Sequence, residues 1–259
     1  MDRHLKEVSE NWDGIWRGHN RSTKLNQKLE KAFFRLFPLP NSSKLIFDNL
    51  LGICQSNLQG KNIAECGSGT GLISKQLAKN GANVTLIDIS PEAIDLSKKN
   101  LYGLKAQFIQ ASIMSLPLKS NSFDLVWNAG VIEHFKREQQ KKAISEMVRI
   151  ARPGGFVVLF NPCVCGKYYL KMKSIAENKG IWQAGYESPF ETLNGLIEKK
   201  YPVKEYSIGY WTQFQYGKYH FRNKALQNMW ILGFELASKL ANPLNKREGY
   251  FLVTIVEKS

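Results

Sequence analysis

Apolar positions change period repeatedly along this chain, and each change predicts an element. Residues 25–37 place Leu29, Ala32, Phe33, Leu36 and Phe37 on one helical face, and residues 42–51 follow two serines with apolar side chains at helical spacing. Short apolar runs at residues 63–66, 84–87, 106–109, 123–128 and 155–160 read as strands. Between them, residues 72–78 form a helix stopped by Asn80-Gly81, Ser90-Pro91-Glu92 opens another with a capping side chain and a first-turn proline, and residues 136–151 form a third. Strands alternating with helices predict an α/β fold with a doubly wound, mostly parallel sheet. The second half is less regular. Ser188-Pro189-Phe190-Glu191 has the form of a capping box and predicts a helix over residues 189–200. Residues 203–208 and 250–256 complete seven strands. Between these last two lies an insertion of about 40 residues containing Tyr210, Trp211, Phe214, Tyr216, Tyr219, His220 and Phe221, then an apolar helix over residues 225–240.

Composition narrows the class. An apolar fraction of 43% with 12% aromatic residues suits a packed globule, and no apolar run reaches the ~18 residues of a membrane span. The charged N-terminus has no apolar signal core, so a cytoplasmic location is expected. The net charge of +14 is spread evenly: basic residues exceed acidic ones by 9 to 6 in residues 1–60, 13 to 8 in 61–165 and 14 to 8 in 166–259. No basic arm stands out, which disfavours a nucleic-acid partner. Cys54, Cys66, Cys163 and Cys165 contain no C-x-x-C pair, so reduced thiols and no metal site are expected.

The chemistry centres on Ile63-Ala64-Glu65-Cys66-Gly67-Ser68-Gly69-Thr70-Gly71. Glycines at alternate positions admit positive φ and let a ligand approach the backbone. A dinucleotide loop is spaced G-x-G-x-x-G and faces a pyrophosphate; here the spacing is G-x-G-x-G and Glu65 precedes it, which suits a cationic ammonium. Seventeen residues past Gly71, Asp88 ends the second strand, placed to accept ribose hydroxyls. Glu65, Asp88, Ser112 and Asn128 all fall at the carboxyl ends of strands, where ligands bind in such sheets.

With these residues, the chain resembles the class I S-adenosylmethionine-dependent methyltransferases, of the small-molecule branch, clearly over residues 44–165. The resemblance implies a Rossmann-like seven-stranded sheet in residues 44–259, a helical cap or lid in residues 1–43, and lid-like segments at about 162–188 and 209–248. It implies S-adenosyl-L-methionine as cofactor, with Glu65, Gly67, Ser68, Gly69, Thr70 and Gly71 around its methionine end and Asp88 and Ile89 at the ribose. Ser112 and Ile113 would flank the adenine, Asn128 and Ala129 would lie beside the methionine portion, and Trp16 would close over the pocket. Many relatives carry an acid where this chain has Ser112. In Asn128-Ala129-Gly130-Val131-Ile132-Glu133-His134, His134 is the candidate base and Glu133 its companion. The DNA amino-methylating tetrad is absent after the fourth strand; Asn161-Pro162 follows the fifth and reads as a loop start.

The expected acceptor is a small, partly hydrophobic or lipid-like molecule, facing an aromatic wall with scattered cations. The helix over 225–240 permits membrane-surface contact or pairing with a second copy. Two alternatives stand beside this reading: an RNA-modifying methyltransferase, and a cofactor-binding protein without catalysis.

Overall fold

The computed structural model describes residues 3–20 and 41–259; the helix expected over residues 25–37 lies outside the described residues. Helix α1 (Arg3–Asn20) precedes α2 (Asn41–Ile53). Then come β1 (Asn62–Cys66), α3 (Leu72–Lys79), β2 (Asn83–Asp88), α4 (Pro91–Asn100), β3 (Ala106–Gln110), β4 (Phe123–Ala129), α5 (Arg137–Ile150), β5 (Ala151–Pro162) and α6 (Lys167–Asn178). The chain closes with β6 (Val203–Ile208), a 3-10 segment (Thr212–His220), α7 (Lys224–Ala241) and β7 (Phe251–Glu257).

The strands form one seven-stranded sheet in the order β3-β2-β1-β4-β5-β7-β6. β1 to β5 run parallel and β7 is antiparallel to both its neighbours. Alternation along β1 explains the layers. Ala64 and Cys66 enter one core with Val126 and Val157, while Ile63 enters the other with Leu125, Trp127 and Val158. Strand order reverses between β1 and β4, so the crevice beyond their carboxyl ends is open to a ligand. Helix α4 starts as its sequence predicts: Ser90 Oγ accepts the Ala93 amide at 3.2 Å and Pro91 occupies the first turn.

Four local expectations are corrected. Residues 189–200 hold only a 3-10 turn at Asn194–Leu196. The backbone there is claimed by tertiary partners: the Ser188 amide bonds the Glu133 carbonyl, Phe190 bridges to Cys163, and the Glu205 carboxylate accepts from Leu193 N and Thr192 Oγ1. Asn161-Pro162 is the end of β5, paired with Leu252 and Phe251, rather than a loop. β5 itself begins at Ala151, opposite Phe123, upstream of the glycine pair. Cys54 and Cys66 are free and buried, but Cys163 and Cys165 form a disulfide.

The insertion between β6 and β7 carries the aromatic 3-10 segment and α7. One face of α7 packs inward through Gln227, Phe234, Glu235 and Ser238, and the opposite face exposes Leu226, Met229, Leu232 and Leu236. Among the described residues no helix is long and apolar enough to cross a membrane.

Candidate active site

Beyond the carboxyl ends of β1, β2 and β4 lies a cavity of about 550 Å³. Of the residues singled out by sequence, Trp16, Glu65, Gly67, Ser68, Gly69, Thr70, Asp88, Ile89, Ser112, Ile113, Ala129 and His134 line it. Gly71, Asn128 and Glu133 stand behind this lining. Gly71 serves packing, because a Cβ there would meet Leu86, Ser97 and Leu101 at 2.7–3.0 Å.

The loop after β1 turns through left-handed backbone. Gly69 has φ +49°, and a Cβ on it would stand 2.9 Å from the Trp16 ring. Its amide, freed to point inward, donates to Asp88 Oδ2 at 2.9 Å, while Asp88 Oδ1 accepts the Ser90 amide at 2.9 Å. Both carboxylate oxygens are thus held by the backbone, with the Ile89 amide also acting on the group. Burial still holds the Asp88 carboxyl above its ordinary range, against those hydrogen bonds.

Glu65 is different. It is 6% exposed, its Oε2 makes no hydrogen bond of good geometry, and burial pushes its carboxyl up to about 8 against the opposing influence of the nearby Ser74 hydroxyl. A buried acid at a cavity wall with an unsatisfied oxygen is under-compensated, and a cationic donor would satisfy it.

Helix α1 roofs the cavity. Trp12 and Trp16 stack with centroids 5.7 Å apart, Trp16 over Gly69 and Trp12 edge-on to His134 at 5.3 Å. Polar contacts hold the helix in place. Ser90 Oγ donates to Asp13, Arg17 pairs with Glu92 at 3.7 Å, and Asn11 Nδ2 donates to the Gln183 carbonyl at 3.4 Å.

His134 sits in a 3-10 turn (Ile132–His134) after β4. Its Nδ1 lies 2.6 Å from the Tyr186 carbonyl, which accepts only, so Nδ1 carries the proton and Nε2 the lone pair. Nε2 is 4.0 Å from Glu133 Oε1. Glu133 is buried, accepts from Asn161 Nδ2 at 2.8 Å through its other oxygen, and is raised by that burial.

Sequence reasoning missed Glu187, which stands beside Glu133 and His134. It lies in an irregular loop with no periodic signal. Tyr216 and Tyr250 were legible only as aromatics, yet both line the cavity and their hydroxyls bond each other at 2.5 Å. The scattered cations expected on this wall are not in the lining: among the described residues it contains Glu65 and Asp88 and no Lys or Arg.

A family model described as a methyltransferase domain matches residues 64–159. A demethylmenaquinone methyltransferase of Clavibacter sepedonicus is 29% identical over 146 residues, covering 54% of this chain and 59% of that protein. A mitochondrial ubiquinone biosynthesis O-methyltransferase of Schizosaccharomyces pombe is 32% identical over 130 residues, covering 48% and 46%. The chain thus matches about half the length of these curated relatives. Among solved structures, magnesium protoporphyrin IX methyltransferase from Synechocystis PCC 6803 with bound SAH superposes with a TM-score of 0.55 at 16% identity, over 85% of this chain and 84% of that one. At that identity the likeness concerns the fold.

Proposed function

We propose that this chain, which belongs to the class I S-adenosylmethionine-dependent methyltransferases, transfers a methyl group from S-adenosylmethionine to the O, N or C of a small, partly hydrophobic acceptor. The observation that carries this reading is the unsatisfied Glu65 oxygen beside a glycine loop, with Asp88 holding the loop on the other side. When bound, S-adenosylmethionine supplies a methyl group activated by a positively charged sulfur.

Glu65 would accept from the ammonium of the methionine portion, relieving its own desolvation. Asp88, oriented by the backbone amides and lining the cavity, would accept from the ribose hydroxyls. Ser112 and Ile113 would flank the adenine, and Ala129 the methionine end. Helix α1 serves as a lid: its tryptophans exclude water from both the loop and His134.

For an acceptor that must lose a proton, His134 Nε2 is the base. Its tautomer is held by the Tyr186 carbonyl, and Glu133, 4.0 Å from Nε2 on the acceptor side, would stabilise the imidazolium. Among the described residues the lining has no Lys or Arg to pair with a phosphodiester, which gives an RNA acceptor no support there. The test is calorimetry with S-adenosylhomocysteine and, separately, NAD. Saturable binding of the former is expected; NAD binding with no response to S-adenosylhomocysteine would refute the assignment.

A further inference from the structure

Beside the donor cavity, Glu133, His134 and Glu187 converge so that one side-chain oxygen or nitrogen from each lies within 4.8 Å of the others. The chemistry of the group is one-sided. Two carboxylates face each other in a buried place, and among the described residues neither has a Lys or Arg within 4.0 Å. Glu133 is only 1% exposed. Glu187 Oε1 has no hydrogen-bond partner, and burial, then the charge of Glu133, push its carboxyl up to about 8. Asn161, fully buried, donates to Glu133 while its own Oδ1 has no partner. The buried oxygens left over, Glu187 Oε1 and Asn161 Oδ1, are costly unless something donates to them.

Its surroundings are aromatic. Trp12 is edge-on to His134, Tyr216 and Tyr250 are 5.1 Å apart, and Tyr169 packs against both at 4.8 and 4.9 Å. Burial first, and the Glu187 charge among the further causes, hold the Tyr216 and Tyr250 hydroxyls above their ordinary range, so these rings stay neutral. His134, Tyr216 and Tyr250 also line the donor cavity, so the group stands against its wall.

We propose that this group of carboxylates and aromatic rings binds the methyl acceptor as a protonated amine, which passes one proton to His134 Nε2 so that the freed nitrogen lone pair forms the new C–N bond as the donor's methyl–sulfur bond breaks and the sulfur leaves neutral. The proposal rests on the methyltransferase reading of the neighbouring cavity. Tetrahedral N–H donors at about 2.8 Å place their acceptors about 4.6 Å apart. Zinc bonds of about 2.1 Å place ligands about 3.4 Å apart, and cis ligands of magnesium stand about 3.0 Å apart. His134 Nε2 and Glu133 Oε1 are 4.0 Å apart, midway between the zinc and ammonium spacings, so it is the aromatic surroundings that favour an organic cation. Aromatic faces add cation–π attraction, which favours an organic cation of low hydration.

The test compares phenethylammonium with phenethyl alcohol, which has the same ring and chain without the charge, by calorimetry on the full chain with S-adenosylhomocysteine present. The ammonium is expected to bind at least about tenfold more tightly than the alcohol. Glu187→Gln should abolish that preference and leave S-adenosylhomocysteine affinity unchanged, which also shows that the variant is folded; Glu133→Gln should do the same. Equal affinity for the two probes, no saturable binding of the ammonium at millimolar concentration, or an undiminished preference in both variants overturns the proposal. So does stoichiometric binding of Mg²⁺ or Zn²⁺ that excludes the ammonium. Failure of S-adenosylhomocysteine to bind the wild type would count against the methyltransferase reading, and that is seen before either probe is added.

Discussion

Binding of the donor should be coupled to release of a proton from Glu65. Burial holds this carboxyl at about 8 in the ligand-free protein, so at pH 7 about nine molecules in ten carry the proton there. An ammonium in hydrogen-bond contact favours the ionised form and returns the group to its ordinary range. Affinity for S-adenosylhomocysteine, which keeps the amino acid end, should then rise about tenfold per pH unit from 6 to 7 and flatten near 8. The work of removing the proton is about 1.4 kcal/mol at pH 7 and about 2.7 kcal/mol at pH 6. The sign for the ligand-free protein is the reverse. A raised carboxyl contributes stability that is complete below about pH 4.5 and is lost as pH rises through about 8. Calorimetry in two buffers of different ionisation enthalpy reads the proton directly: about 0.9 released per ligand at pH 7. Glu65→Gln should remove both the slope and the release. Affinity independent of pH from 6 to 8, or the same slope in the Gln variant, would refute the assignment of Glu65 to the ammonium.

Other perturbations probe the loop, the base and the roof. Asp88→Asn loses charge at the ribose position and one of the two backbone acceptors; donor affinity should fall at least tenfold, about 1.4 kcal/mol, and unchanged affinity by calorimetry would remove its role. Gly69→Ala forces a side chain into left-handed backbone and against Trp16, costing about 1–2 kcal/mol; a lower melting temperature with altered tryptophan fluorescence is expected, and an unshifted melt would argue against this loop geometry. His134→Ala should abolish turnover while donor affinity holds, and full turnover would leave the residue a structural part only. Trp16→Ala should speed dissociation of S-adenosylhomocysteine in stopped-flow with little change in melting temperature, and an unchanged off-rate would mean that α1 does not cover the donor.

What could be read in the sequence follows from range. The strands and their flanking helices were legible because burial on alternate sheet faces imposes its period locally, as with Ala64 and Cys66 against Ile63. Glu65 and Asp88 were legible because a strand end next to a glycine turn fixes where a side chain points. The helix expected over residues 189–200 failed for the opposite reason. Its capping box is sound locally, but the Glu133 carbonyl, the end of β5 and the Glu205 carboxylate supply distant partners that the helix would have to forgo. Glu187 was invisible because its meaning comes from Glu133 and His134, more than fifty residues away. The Cys163–Cys165 bond is likewise a matter of geometry at the end of β5, which spacing alone did not disclose.

The stacked pair of tryptophans on α1 touches the donor loop with one ring and His134 with the other. A single rigid element therefore contributes to two binding equilibria. A ligand that holds α1 in place from the donor side would lower the entropy cost of seating the second ligand under the same helix. Linkage makes the effect reciprocal, so any factor by which S-adenosylhomocysteine sharpens binding of the acceptor is the factor by which the acceptor sharpens binding of S-adenosylhomocysteine. Where both ligands settle the roof, their binding should be cooperative, and retention of the spent donor should report whether the acceptor has left.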